Sequence, residues 1–291
     1  MRTEDIDPRF LDLDRLSPVD QVRLLHAGQG EAIAAVERAL PAIAAATEAA
    51  ALRLSGAGRI VYCGAGTSAR IGVQDGAELL PTFNWPAERV AFVIAGGEAA
   101  LLRAVENAED SADDGILGIA ALAVNADDVV LGIAASGATQ FTVAALQAAR
   151  QRGALTIGIA NNAGSPLLAA VDHPVLIETG AEAIAGSTRL KAGTAQKIAL
   201  NLFSTSVMVQ LGHVYRGLMV DMRPTNAKLR RRAVEMVAHI TSCDLEAAHR
   251  ALSLADWDVK LAVLVLKGLT LEEARNLIVQ SGGKLRAALG H

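Results

Sequence analysis

The sequence predicts an α/β protein, a parallel sheet flanked by helices, with a helical segment before it and a small helical bundle after it. Three observations carry this. Five short apolar runs rich in Val, Ile or Leu, at 59–63, 89–94, 128–134, 154–160 and 172–177, read as strands buried on both faces. Helix-like stretches lie between most of them, at 67–80, about 98–123 in two pieces, 138–152 and 165–170, which is the βαβα rhythm of a covered parallel sheet. Aromatic residues are only 3% while apolar residues reach 52%, so small side chains must do the packing, as helices lying close on a sheet require.

Taken in order, Ser17-Pro18 reads as an N-cap with a first-turn proline and opens a helix to about His26. Gly28 to Gly30 should interrupt it. A long Ala-rich helix from about 31 to 54 follows, which Pro41 should kink or split. Past the sheet region, a polar segment Gly186-Ser187-Thr188-Arg189-Leu190-Lys191-Ala192-Gly193-Thr194 precedes a long helix expected to reach about Tyr215. From 226 onward, helices at 226–240, 244–254, 258–267, 270–280 and 282–289 suggest a small bundle with no chemical motif, suited to packing or partner contact. The expected division is therefore 1–56 as an N-terminal helical segment, 57–225 as the sheet domain and 226–291 as the C-terminal helical region.

Composition excludes several functions. A formal net charge of −4 without a basic run argues against nucleic acid and anionic membranes. The densest basic cluster, Arg230-Arg231-Arg232, reads as a solvated helix face. The acidic start, MRTEDIDPRFLDLD, lacks a secretory h-region, and no apolar run reaches the ~18 residues of a membrane span. Cys63 and Cys243 make neither a disulfide framework nor a zinc pattern, and the six histidines lack H-x-x-x-H spacing. The reading is cytoplasmic, with no metal and no cofactor.

Ligands of parallel sheets bind outside the carboxyl ends of the strands, so the loops that follow strands are the informative ones. The first is Gly64-Ala65-Gly66-Thr67-Ser68, where a strand turns through glycine into a helix whose first turn offers free N–H groups and two hydroxyls. The second is Ala134-Ala135-Ser136-Gly137-Ala138-Thr139. Either alone is also an ordinary capped turn; two in one sheet point to a bound anion. The segment with Ser187 and Lys191 adds hydroxyls and cations before a third helix. Two carboxylates are candidates for acid–base work: Glu78, between Ala77 and Leu79-Leu80, and Glu109, beside Asp110 in a break between two helices. Apolar neighbours suit the acid and an ionised setting suits the base, although glutamates on helices are more often plain surface.

The segments GAGTSARIGVQDGAELLPTF, VENAEDS, GIAASGAT and AIAGSTRLKAGTAQKIALN with LMVDMRPTNAKL together resemble the N-acetylmuramic acid 6-phosphate etherases, which are built on the sugar isomerase (SIS) domain. The resemblance runs from about 40 to the C-terminus. It implies removal of a D-lactyl ether from C3 of a phosphorylated amino sugar by elimination and then hydration. It also implies Glu78 as the acid, with Glu109, the second active-site glutamate, assigned here as the base, and no metal or redox cofactor. Gly66, Thr67, Ser68, Ser136, Gly137, Thr139, Ser187 and Lys191 would hold the phosphosugar. The chain departs from the family's usual pattern at Ala69, at Leu79-Leu80 and at Ala27-Gly28-Gln29-Gly30. A phosphosugar aldose–ketose isomerase and a sugar-phosphate-sensing regulator on the same fold are the competing readings; retention of both glutamates favours an enzyme. Glu78 lies about 16 Å beyond Thr67 if one helix carries both. The helix must end early, or a second subunit must complete the site; the dimeric habit of SIS proteins favours a homodimer with sites at the interface.

Overall fold

Each apolar run becomes a strand: β1 (Ile60–Gly64), β2 (Val90–Ile94), β3 (Val129–Ile133), β4 (Leu155–Ala160) and β5 (His173–Leu176). A computed structural model of the chain, describing residues 2–103 and 105–290, pairs all five in parallel in the order β2-β1-β3-β4-β5. Ile60 stands opposite Val90 on one side and Val129 on the other. The order reverses between β1 and β3, which is where an open α/β sheet forms its ligand crevice. The helices before, between and after the strands are α1 (Pro18–Leu54), α2 (Gly66–Ala77), α3 (Leu79–Phe83), α4 (Ala112–Ala121), α5 (Gln140–Gln151), α6 (Pro166–Ala170) and α7 (Lys191–Gln210). By its internal contacts the chain forms two compact units, Met1–Gly76 with Glu88–Thr205, and Ala77–Ala87 with Ser206–His291.

In the first unit every residue of β1, β3 and β4 is buried. Alternation along the strands sends Val61, Cys63 and Val130 to one face, where they pack with Phe141, Leu146 and Leu167 of the intervening helices. α1 lies against β3, β4 and β5. It runs unbroken for 37 residues, so the expected interruption at Gly28–Gly30 and the split at Pro41 do not occur. The reason is tertiary. A Cβ on Gly28 would stand only 3.3 Å from the Phe10 ring, so this glycine admits a neighbour rather than ending a helix. A buried stripe of Ala32, Ala35, Val36, Ala39, Ile43, Ala46 and Ala50 outweighs the weak local propensities.

A polar tie lies inside this apolar packing. Asp75, 5% exposed, accepts hydrogen bonds from the Tyr62 hydroxyl at 2.8 Å, Asn201 Nδ2 at 2.9 Å and Ser204 Oγ at 3.0 Å. Burial and then the Asp75 charge drive the Tyr62 phenol well above its ordinary range, so it stays a donor. The start of the chain is tied down as well. Thr3 is fully buried, exchanging hydrogen bonds with Asn162 (3.3 Å and 2.9 Å) and accepting one from the Gly186 N–H at 3.0 Å.

The second unit contains α3, a hairpin of β6 (Val214–Tyr215) and β7 (Leu218–Met219), and α8 (Ala227–Thr241), α9 (Leu245–Leu254), α10 (Val259–Leu266), α11 (Leu271–Gln280) and α12 (Leu285–Ala288). The long helix α7 stops at Gln210 rather than near Tyr215. Arg216 (φ 48°) and Gly217 (φ 76°) then make the two-residue turn that a tight antiparallel hairpin needs. Side chains of Asn226, Asp244, Asp258 and Thr270 cap α8 to α11, and Thr270 with Glu273 forms a capping box. Met236, Val237, Leu252, Val263 and Leu285 close the core. Arg230, Arg231 and Arg232 are exposed, as expected.

Replacing Asp75 with Ala strips the acceptor from three inward donors, and denaturant unfolding should register a loss of about 3–5 kcal/mol. A change below about 1 kcal/mol would show that this tie does not support the fold.

Candidate active site

At the carboxyl end of β1 the chain turns at Gly66 (φ 54°) into α2. The first intrahelical bond here is Ala69 N to Ala65 O, 3.3 Å, so the N–H groups just ahead of it have no acceptor within the helix and can meet an anion. Ser68 faces inward. Its hydroxyl donates to Gln196 Oε1, Gln196 to Asn161 Oδ1 and Asn161 to the Ile177 carbonyl, each at 2.9 Å. Its hydroxyl proton is therefore committed to structure.

After β3, Gly137 (φ 67°) cannot be replaced without collision, since a Cβ there would lie 2.2 Å from Ser165 Oγ. Ser136 Oγ accepts from the Ala138 N–H at 3.1 Å and shapes the turn. Thr139 occupies the N-cap position of α5 but makes no cap hydrogen bond with its side chain, leaving its hydroxyl for another partner.

The third polar segment differs from its expected form. Lys191 opens α7 almost wholly buried, its Nζ 2.8 Å from Glu31 Oε2. The N–H groups of Lys191 and Ala192 donate to the two oxygens of buried Glu182, each at 2.9 Å. This helix end already holds an internal anion, and its lysine is already paired. Ser187 is half-buried, with its N–H on the Ile184 carbonyl at 2.9 Å. The segment still borders the first loop, because a Cβ on Gly193 would lie 3.5 Å from the Thr67 methyl. Arg9 hydrogen-bonds Glu31 on its other side. The Arg9 bond, and then Lys191, hold the Glu31 carboxyl down at about 2.

Gly66, Thr67 and Glu109 share a cavity of about 290 Å³ between the loops that follow β1 and β2, with Arg70, Arg103 and Asn107 also on its wall. Glu109 stands on a 3-10 turn, Ala108–Asp110, aimed by Asn107 in the left-handed region (φ 59°). Asn is among the few non-glycine residues that take this region readily. Arg70 clamps the same loop, donating to the carbonyls of Leu101 at 3.0 Å and Ala100 at 2.8 Å. Sequence reasoning missed Arg70, Arg103 and Asn107. The signals were Arg70 one helical turn past Thr67 and the Gly96-Gly97 pair just after β2. Glu78 belongs to the second unit. α2 ends at Ala77, and Glu78 takes the turn before α3, exposed, with Leu80 also 44% exposed. The apolar surroundings expected for Glu78 are not matched by its exposed position in this chain. Among the described residues no group of His, Cys, Asp or Glu could hold a metal ion.

Two family descriptions match the chain: the N-terminal SIS domain of glucokinase regulatory protein over residues 42–150, and the SIS domain over residues 104–206. A phosphoheptose isomerase from Francisella tularensis shares the fold, with a TM-score of 0.51 and 22% identity over 67% of this chain and 100% of that one. The chain is 51% identical to the N-acetylmuramic acid 6-phosphate etherase of Deinococcus radiodurans, covering 99% of this chain and 95% of the relative. It is 45% identical to that of Streptomyces avermitilis, covering 99% and 93%.

The Glu31–Lys191 pair predicts a pH signature. With the folded carboxyl depressed, its contribution is complete above about pH 4.5 and lost as pH falls toward 2. Glu31→Gln should lower the urea midpoint at pH 7, and the gap to wild type should shrink below pH 4.5. A gap independent of pH would assign the effect to packing.

Proposed function

The chain belongs to the N-acetylmuramic acid 6-phosphate etherase family, and from that premise we propose that it cleaves the D-lactyl ether of N-acetylmuramic acid 6-phosphate, giving N-acetylglucosamine 6-phosphate and D-lactate. The observation that carries the site assignment is the cavity in which Glu109 faces the open N-terminus of α2 and Thr67. That N-terminus, with the Ser136 and Thr139 hydroxyls on the next strand's loop, binds the 6-phosphate. Ser187 and Lys191 act from the bordering segment, Lys191 by holding it in place through Glu31.

The chemistry follows from the open-chain sugar. Its C1 aldehyde acidifies the C2 proton, which Glu109 removes. The C2–H electron pair becomes the C2–C3 double bond as the C3–O bond breaks, and Glu78 protonates the departing ether oxygen. Water then adds to C3 of the unsaturated aldehyde and a proton returns to C2, so one water is consumed and lactate is released. An isomerase would need no acid for a C3 ether oxygen, and a regulator would need neither carboxylate. Relatives 44–51% identical bear the etherase name, which disfavours both.

A homodimer fits the placement of the two glutamates. α2 spans 12 residues, about 18 Å of helix, and Glu78 follows its far end, exposed in the single chain beside Leu80. A second copy would give Glu78 its apolar surroundings and bring it to the partner's Glu109. We place the reaction in the cytoplasm, where cell-wall sugars are recycled. No helix among the described residues is long and apolar enough to cross a membrane.

Incubation with N-acetylmuramic acid 6-phosphate should release D-lactate; no release from folded protein would end this reading. Glu109→Gln should abolish lactate release together with exchange of the C2 proton in deuterated water. Glu78→Gln should block cleavage yet keep some exchange, each variant losing about 10²–10⁴-fold in turnover. The reverse pattern would exchange the two roles. Refolding the two variants together tests the shared site. Hybrid dimers with one intact site should restore about a quarter of wild-type activity, whereas a site built from one chain would restore none.

A further inference from the structure

The substrate inferred above carries two anions, the 6-phosphate and the carboxylate of the lactyl group, and only the second sets it apart from an ordinary hexosamine phosphate. The helix N-terminus and hydroxyl loops described so far serve the phosphate. We propose that Arg103 binds the lactyl carboxylate and thereby selects a lactyl ether over an unsubstituted phosphosugar, an inference that rests on the etherase reading.

Arg103 lines the same cavity as Thr67 and Glu109. The cavity's other cation, Arg70, has its guanidinium on the carbonyls of Ala100 and Leu101. Among the described residues no side-chain hydrogen bond or ion pair engages Arg103, which is exposed to the cavity and to solvent. Its place is nonetheless fixed. The Leu102 N–H closes the 3-10 turn Glu98–Leu101 on the Ala99 carbonyl at 3.3 Å, the Arg103 N–H donates to the same carbonyl at 3.3 Å, and Arg70 holds that turn from α2. A free guanidinium thus projects from an anchored turn.

The rest of the wall shows why a cation is needed there. Glu106 and Glu109 are its two carboxylates. Glu109 must approach C2, next to the carbon that bears the lactyl ether. The carboxylate on that ether would enter beside these two like charges, at a cost that an opposite charge in the same cavity offsets. The planar fork of arginine matches a carboxylate with two parallel hydrogen bonds, which lysine cannot reproduce. Lys191, the buried cation of the neighbouring segment, is held by Glu31.

A cycle between protein and substrate tests this. Wild type, Arg103→Gln and Arg103→Lys are each assayed with N-acetylmuramic acid 6-phosphate and with its lactyl carboxamide, alongside circular dichroism. Converting the carboxylate to the amide should raise KM for wild type by about 10–100-fold, and Arg103→Gln should raise KM for the acid by a similar factor. The two changes together should cost little more than either alone, and Arg103→Lys should recover part of the loss. Multiplying losses would overturn the assignment while leaving the etherase reading intact. Coupling of Arg103→Gln to removal of the 6-phosphate would instead make it a phosphate ligand, and would overturn it equally. Absence of D-lactate release by wild type would mark failure of the etherase reading itself, separately from Arg103.

Discussion

The site depends on the side-by-side placement of α2 and α7, and buried polar contacts at two levels fix it. Ser68 meets Gln196 near the start of the pair; two turns later Asp75 meets Asn201 and Ser204. Because both partners advance together along the chain, the helices run parallel, and both N-termini come to the carboxyl end of the sheet. Asp75 adds the Tyr62 hydroxyl of β1. A buried carboxylate with several donors is costly to build and specific in what it permits. A slip of one residue would turn Asp75 away from its donors and Ser68 away from Gln196 at once.

Two adjacent helix N-termini would both attract anions. The chain resolves this by filling one. Glu182 occupies the end of α7, and Glu31 neutralises Lys191 beside it. The end of α2 is left open toward the cavity. The internal carboxylate therefore leaves the N-terminus of α2, at the glycine loop after β1, as the open one of the pair.

Sequence reading found β1, β3 and β4 because full burial leaves an uninterrupted apolar signature, and it found the glycine loops because the positive φ at Gly66 and Gly137 favours glycine. Lys191 was misread for a physical reason. A lysine near a helix start looks available until its partner is known, and Glu31 lies 160 residues away in sequence. Gly28 signals a break in a local reading, and only the Phe10 ring packed on it reveals its use. Arg103 and Asn107 lacked a signal of their own, since a cation on a loop and an Asn before Ala are ordinary in sequence. The exposure of Glu78 in one chain was not legible, because its apolar sequence neighbours Ala77 and Leu79 suggest a buried setting.

The docking of Thr3 has a consequence for how the molecule is assembled in time. Its partner Asn162 stands 159 residues later, and Gly186 later still. During synthesis Thr3 precedes its seat, which exists only after β4 and the loop before α7 have been made. The segment around Thr3 is therefore made before its seat, and closing so long a loop carries an entropic cost that the contacts of the assembled fold must offset. Completion of the first unit is in this way coupled to this docking: the loops after β4 and before α7 acquire their common fastening in Thr3.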